Sequence, residues 1–293
     1  MVVSRAFDSV HPAVSLLYFG SVLGFGAVVM HPALLVAGFF GALCCSVTLL
    51  GGRETLRRLA WIAPVALAAL IFNPAFNHRG VTILAYLPSG NPLTLESLIF
   101  GLASGWMLSA VLLWCACLSH VMTSDKVLYL FGRAAPSLSL LLSMTLRSIP
   151  RFRRQARRIA QAQQGLYGPP KGLLGRVRAG AGTLSILLTW ALENAVDTAD
   201  SMRARGYGLR GRTAFSLYRL ERRDKGLLLF LAAALLLTGA LGAWGGLKWT
   251  YYPALGGTLD WRTALAVCAY LTICLIPVWL ERKEERVWSR WNI

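Results

Sequence analysis

Arg147–Pro170, R-S-I-P-R-F-R-R-Q-A-R-R-I-A-Q-A-Q-Q-G-L-Y-G-P-P, decides how this chain is organised. Arg147, Arg151, Arg154 and Arg158 step by four, three and four, which lines one face of an α-helix. Phe152, Ala156 and Ile159 fall on another face. Pro150 suits a position at or near a first helical turn. Gly165-Leu-Tyr-Gly-Pro-Pro reads as a strong stop, because glycine permits a left-handed cap and proline cannot continue a helix. A basic helix of this kind belongs in water, yet apolar runs flank it on both sides.

Working outward, a second long helix is expected from about Leu173 to Arg205, ending at Gly206 and Gly208. Its Glu193, Asp197 and Asp200, spaced i, i+4, i+7, form an acidic stripe expected to pair with nearby arginines and so pin the two helices together. Ala204-Arg205-Gly206 echoes Ala162-Gln163-Gln164-Gly165 at the end of the first helix. A helix C-terminus presents unsatisfied carbonyls and partial negative charge, so Arg205 suits its place there and can also reach a partner's carboxylate. Upstream, Asp125 to Met144 is mostly apolar, broken at Gly132 and Pro136, and suits a membrane surface.

Residues 120–225 hold 19 Lys/Arg against six Asp/Glu, whereas the rest of the chain holds 11 against seven. Such concentration fits anionic lipid headgroups or acidic protein surfaces. No nucleic-acid module surrounds the arginines, so no nucleic-acid partner is expected.

The 293 residues are 56% hydrophobic and 15% charged, well below the quarter charged of a soluble domain. Six apolar runs approach the ~20 residues needed to cross a ~30 Å hydrocarbon core. They are 13–30, 33–51, 59–76, 94–119, 226–247 and 262–280, the third, with Pro64 inside it, being the weakest. The first run lacks a small-residue cleavage site and reads as retained. No ionisable residue sits near the middle of any run, unlike proton- and ion-coupled transporters. Arg53, Arg57 and Arg58, the basic segment, and Arg282, Lys283, Arg286 and Arg290 share one side in a six-span arrangement. The opposite loops carry only Arg79 and Lys248. Positive charge on the inner side then puts both termini and 120–225 on the cytoplasmic face of the cell membrane. The expected fold is all-α and polytopic: N-terminal spans in 1–119, a cytoplasmic helical segment 120–225, and C-terminal spans with a basic tail in 226–293.

Cys44, Cys45, Cys115, Cys117, Cys268 and Cys274 lie in apolar runs without metal-ligand spacing and read as small packing residues. His78 reads as part of a structural turn, since Asn-Pro and glycine surround it. No G-x-x-x-x-G-K-[ST] loop and no nucleophile–base or paired-carboxylate constellation occurs, so neither ATP hydrolysis nor other catalysis is expected of this chain.

Ser201–Gly208, S-M-R-A-R-G-Y-G, resembles the second coupling-helix signature of the transmembrane T component of energy-coupling-factor (ECF) transporters, ABC-type importers of vitamins and metal ions. His11-Pro12-Ala-Val-Ser-Leu-Leu-Tyr-Phe resembles that family's N-terminal start, and Asn73-Pro74 through Gly80-Val-Thr-Ile-Leu its Asn-Pro and Gly-x-Thr loop. Ser124-Asp125-Lys126, Pro136 and Arg147-x-x-Pro150-Arg151 resemble its membrane-to-coupling segment. The resemblance implies six spans with two long crossed cytoplasmic helices. The helix tips, Ala162, Gln163, Gln164 and Gly165 on one and Ala204, Arg205 and Gly206 on the other, would dock on two ABC ATPase subunits. Arg147, Pro150, Arg151, Glu193, Asp197 and Asp200 would support the helices. Gln164 departs from the pattern, standing where an arginine is often found. The implied role is a scaffold carrying ATP-driven motion to a separate substrate-binding S component during micronutrient uptake. ATP and magnesium would bind the ATPases, and this chain would bind no cofactor. Two other classes compete: a membrane anchor whose basic segment binds anionic lipid or an acidic partner, and a membrane-embedded enzyme, which lacks the polar cluster it would need.

Overall fold

The computed structural model describes residues 10–86, 92–209, 218–257 and 260–291. Part of the basic segment, 210–217, lies outside the described residues. The chain divides into two units, one of residues 1–126 with 218–293 and the other of residues 127–217.

The first unit is built from α1 (Pro12–Val28), α2 (Pro32–Leu50), α3 (Gly52–Phe76), α4 (Leu95–Val121), α8 (Arg222–Leu241) and α9 (Trp261–Trp291). Five stretches, namely α2, α3, α4, Arg222–Gly246 and Trp261–Glu284, are long and apolar enough to cross a membrane. The weak-looking third run is one of these: α3 continues for 25 residues straight through Pro64 and Pro74. Interior prolines are tolerated in spans because neighbouring helices and local adjustments satisfy the freed backbone groups. The short member is instead α1, at 17 residues. Asn73-Pro74 is therefore helical and not part of a turn, and the chain leaves the helix at Asn77.

Aromatic side chains with polar tips knit the core. Tyr18, Phe19 and Trp114 meet edge to face, with ring centroids 5.0–6.3 Å apart. Their polar atoms, with that of Tyr270, bond helix carbonyls across the bundle. Trp114 Nε1 donates to Gly38 O at 3.2 Å, Tyr18 OH to Cys274 O at 3.2 Å, and Tyr270 OH to Val22 O at 3.1 Å. In hydrocarbon no water competes for these donors, so each bond ties two helices in a fixed register. Cys45, Cys117 and Cys274 are buried in this core, in keeping with a packing role, whereas Cys115 is half-buried and Cys44 and Cys268 are exposed.

α3 and α4 approach backbone to backbone. Gly101 and Gly105 form a G-x-x-x-G pair on α4, and a Cβ at Gly105 would lie 2.8 Å from the carbonyl oxygen of Ala66. Between these helices, β1 (Ile83–Tyr86) and β2 (Pro92–Thr94) pair antiparallel. Here the Gly80-Val-Thr82 triplet has a physical role. The buried Glu96 carboxyl accepts the Thr82 backbone N–H at 3.2 and 3.3 Å and the Thr82 hydroxyl as well. A Cβ at Gly80 would stand 2.5 Å from Glu96 Oε2, so only glycine leaves room for this knot.

The second unit contains the end of α5 (Ser124–Ala134), α6 (Pro136–Tyr167) and α7 (Gly172–Ala204). Two expectations shift. Gly132 remains helical within α5, and the break falls at Ala135-Pro136, where Pro136 opens α6. Pro150, expected near a helix start, lies inside α6, which is 32 residues long.

Candidate functional site: two basic grooves on the long helices

α6 and α7 are joined by four residues, 168–171, and pack against each other along their middles. Phe152 meets Trp190 edge-on with centroids 5.7 Å apart, and Thr183 Oγ1 donates to Gln163 Oε1 at 3.0 Å. Ile159 is buried, so the apolar face of Phe152, Ala156 and Ile159 is the one that packs. The acidic stripe does not pin the helices. Glu193, Asp197 and Asp200 are exposed, and the stripe's ion pair among the described residues is local, Asp200 to Arg203 at 3.9 Å within α7.

On either side of the packed middle lies a groove. The first, about 1170 Å³, is formed by the middle of α6 and the C-terminal third of α7. Its walls carry Arg147, Arg151, Arg154, Arg203 and Arg205 over a floor that includes Ala191, Ala195 and Met202, and no carboxylate lines it. The second, about 1060 Å³, is formed by the end of α6 and the start of α7, with Arg157, Lys171, Arg176 and Arg178 on its walls and again no carboxylate. Each groove therefore concentrates positive charge around a small-residue surface, an arrangement suited to an acidic, slender element.

The ends of the two helices differ. α7 closes with a full Schellman arrangement: Tyr207 N–H bonds Met202 O at 3.0 Å and Gly206 N–H bonds Arg203 O at 2.9 Å. Gly206 adopts φ +77°, which a side chain would resist, and Arg205 is left exposed at the C-cap. α6 runs on through Gly165 to Tyr167 and turns at Gly168, φ +73°. Residues 162–165 thus belong to its last turns and not to a terminal loop. Ala162, Gln164 and Gly165 are exposed, whereas Gln163 is turned to α7 by its bond with Thr183.

The structure brings Arg147, Pro150, Arg151 and Arg205 to the first groove, and Gln163 and Gln164 to the second. Glu193, Asp197 and Asp200 line neither, and Arg158 leaves the stripe of its neighbours to lie outside both. Sequence reasoning missed the α7 wall of the first groove and the basic residues of the second. The signal for that wall was available as small residues at helical spacing: Ala191, Asn194, Ala195, Thr198, Ala199. Among the described residues no group of three or more His, Cys, Asp or Glu is placed to hold a metal ion.

The chain thus joins helices long and apolar enough to cross a membrane to a pair of long helices with basic grooves, and comparison with known proteins places it among membrane transport components. Residues 9–215 match the model of the family described as cobalt transport protein, CbiQ, and the chain belongs to that family. It is also similar to the energy-coupling factor transporter transmembrane protein EcfT of Lactobacillus helveticus, 33% identical over 119 residues, 40% of this chain and 42% of that protein. The protein of the same name from Exiguobacterium sibiricum is 38% identical over 106 residues, 34% of this chain and 39% of that one. Each alignment spans about two-fifths of the relative's length.

Proposed function

We propose that this chain is the transmembrane coupling subunit of an ECF transporter, and that its two basic grooves receive two ABC ATPase subunits. The observation that carries this reading is the pair of carboxylate-free grooves, one walled by Arg205 and the other by Gln164. Two similar grooves on one hairpin suit two similar partners. Rigid packing at Phe152–Trp190 and Gln163–Thr183 lets a push on one end of the hairpin be felt along it. The membrane bundle would then pass that movement to a substrate-binding S component, and the basic helices would face the cytoplasm. In this reading nucleotide and magnesium belong to the ATPases, and the chain itself is non-catalytic.

The test is co-expression with candidate ABC ATPases and capture through a tag on this chain in detergent. One charge-assisted hydrogen bond is worth about 1.5–3 kcal/mol, and reversing the charge at Arg205 removes at least that. Arg205→Glu is expected to lower capture at least tenfold while the thermal midpoint of this chain alone stays put. Gln164→Glu, in the less basic groove, is expected to lower it less. Capture indifferent to both substitutions would refute the docking assignment and favour a plain basic anchor.

A further inference from the structure

We propose that the groove between α8 and α9 is a binding site for one anionic phospholipid. This groove, about 690 Å³, is separate from the two on the long helices and lies wholly within the membrane unit. Leu227, Phe230, Leu275 and Ile276 give it apolar walls, and its mouth is basic, with Arg223 and Lys283. Its volume falls within the ~300–1,000 Å³ typical of small-molecule sites. Both helices that form it are long and apolar enough to span, so hydrocarbon chains are the medium its walls meet.

The charges decide the headgroup. Arg223 is held by Glu284 at 2.9 Å, which neutralises the one carboxylate that lines the mouth among the described residues. Lys283 makes no ion pair among the described residues, and its ammonium lies 5.2 Å from the centroid of the Trp279 ring. Trp279 is 59% exposed, an amphipathic ring at the level where a span meets headgroups. A phosphate placed between Lys283 and Arg223, with its acyl chains along Phe230 and Leu275, satisfies both ends of the site. A net charge of −1, with no ammonium to offset the phosphate, distinguishes phosphatidylglycerol-type lipids from zwitterionic ones at such a mouth. With the cytoplasmic orientation proposed above the mouth falls in the inner leaflet, but the site itself does not rest on that orientation.

Full-length protein in mild detergent would be titrated with phosphatidylglycerol, phosphatidylethanolamine and phosphatidylcholine, and bound lipid counted by native mass spectrometry. Wild type is expected to retain phosphatidylglycerol about fivefold or more over the zwitterionic lipids, the scale of one lysine near an anionic surface. Lys283→Glu should abolish that preference and Lys283→Arg should keep it. Gly226 lines the groove, and a Cβ there meets nothing within 4 Å. Gly226→Phe should therefore fill the groove and lower retention of all three lipids, with an unchanged thermal midpoint reporting intact folding. Equal retention of the three lipids by wild type, or a preference that survives Lys283→Glu, would overturn the proposal. No ATPase is present in this experiment, so failed ATPase capture beside selective lipid retention would sink the coupling function and leave the lipid site standing.

Discussion

At Gly105 the obstacle to any side chain is the backbone of α3. In Gly105→Ala the new methyl would stand 2.8 Å from the Ala66 carbonyl oxygen and 3.5 Å from Ala66 Cα and C. Ordinary carbon contacts are ~3.5–4.0 Å, so α3 must retreat by several tenths of an ångström, and the obstacle is backbone, which cannot rotate away. Overpacking of this kind costs about 1–3 kcal/mol. Alanine also returns about 0.5–1 kcal/mol of helix propensity, and the control for that term is Gly20→Ala on α1, where a Cβ meets nothing within 4 Å. The propensity gain cancels between the two variants, leaving the overpacking as their difference. At about 2–4 °C per kcal/mol, thermal unfolding in one detergent should separate their midpoints by roughly 3–10 °C, with Gly105→Ala the lower. Gly101→Ala, whose nearest obstacle is Leu70 O at 3.2 Å, should fall between them. Equal midpoints for Gly105→Ala and Gly20→Ala would refute the backbone-contact packing of α3 on α4.

Three further outcomes follow from the same geometry. Thr82→Val removes the hydroxyl that Glu96 accepts and should lower stability by about 1.5–3 kcal/mol in thermal or denaturant unfolding, while Thr82→Ser stays near wild type. Phe152→Ala and Trp190→Ala, in a double-mutant cycle read by hydrogen exchange along α7, should show a coupling of about 0.5–1.5 kcal/mol; zero coupling would separate the two rings. His31 is buried at the start of α2 against Trp249, and neither ring nitrogen finds a hydrogen-bond partner. Burial lowers its pKa below the ordinary histidine value, so the unfolded chain binds a proton before the folded one does. Stability is then full above about pH 6.5 and declines as pH falls through the lowered value, and His31→Phe should flatten the decline of the midpoint between pH 7.5 and 5.

Much of the fold was legible because lipid imposes a length rule on apolar runs, and five of the six expected spans meet it as long helices. The rule misjudged the third run for one reason. Proline reads as a helix breaker in water, but with neighbouring helices and no competing water the backbone of α3 stays helical through Pro64 and Pro74. Pro150 misled in the same direction, marking a start where α6 in fact continues.

The sequence by itself determined the class of protein, the two long helices of the basic segment and the end of α7. Those are local properties: composition, period, and a glycine at the position where the chain must turn left-handed. Which residues face one another was decided only by tertiary structure. Arg147 and Arg205 are 58 positions apart, and nothing local says that they wall one groove. The acidic stripe had correct spacing, yet its carboxylates are exposed and its ion pair among the described residues stays within α7, while the contact between the helices is made by Phe152 and Trp190. Likewise Gly80 and Glu96 acquire their meaning only when the loop folds back and the carboxyl needs the space that a side chain at Gly80 would occupy.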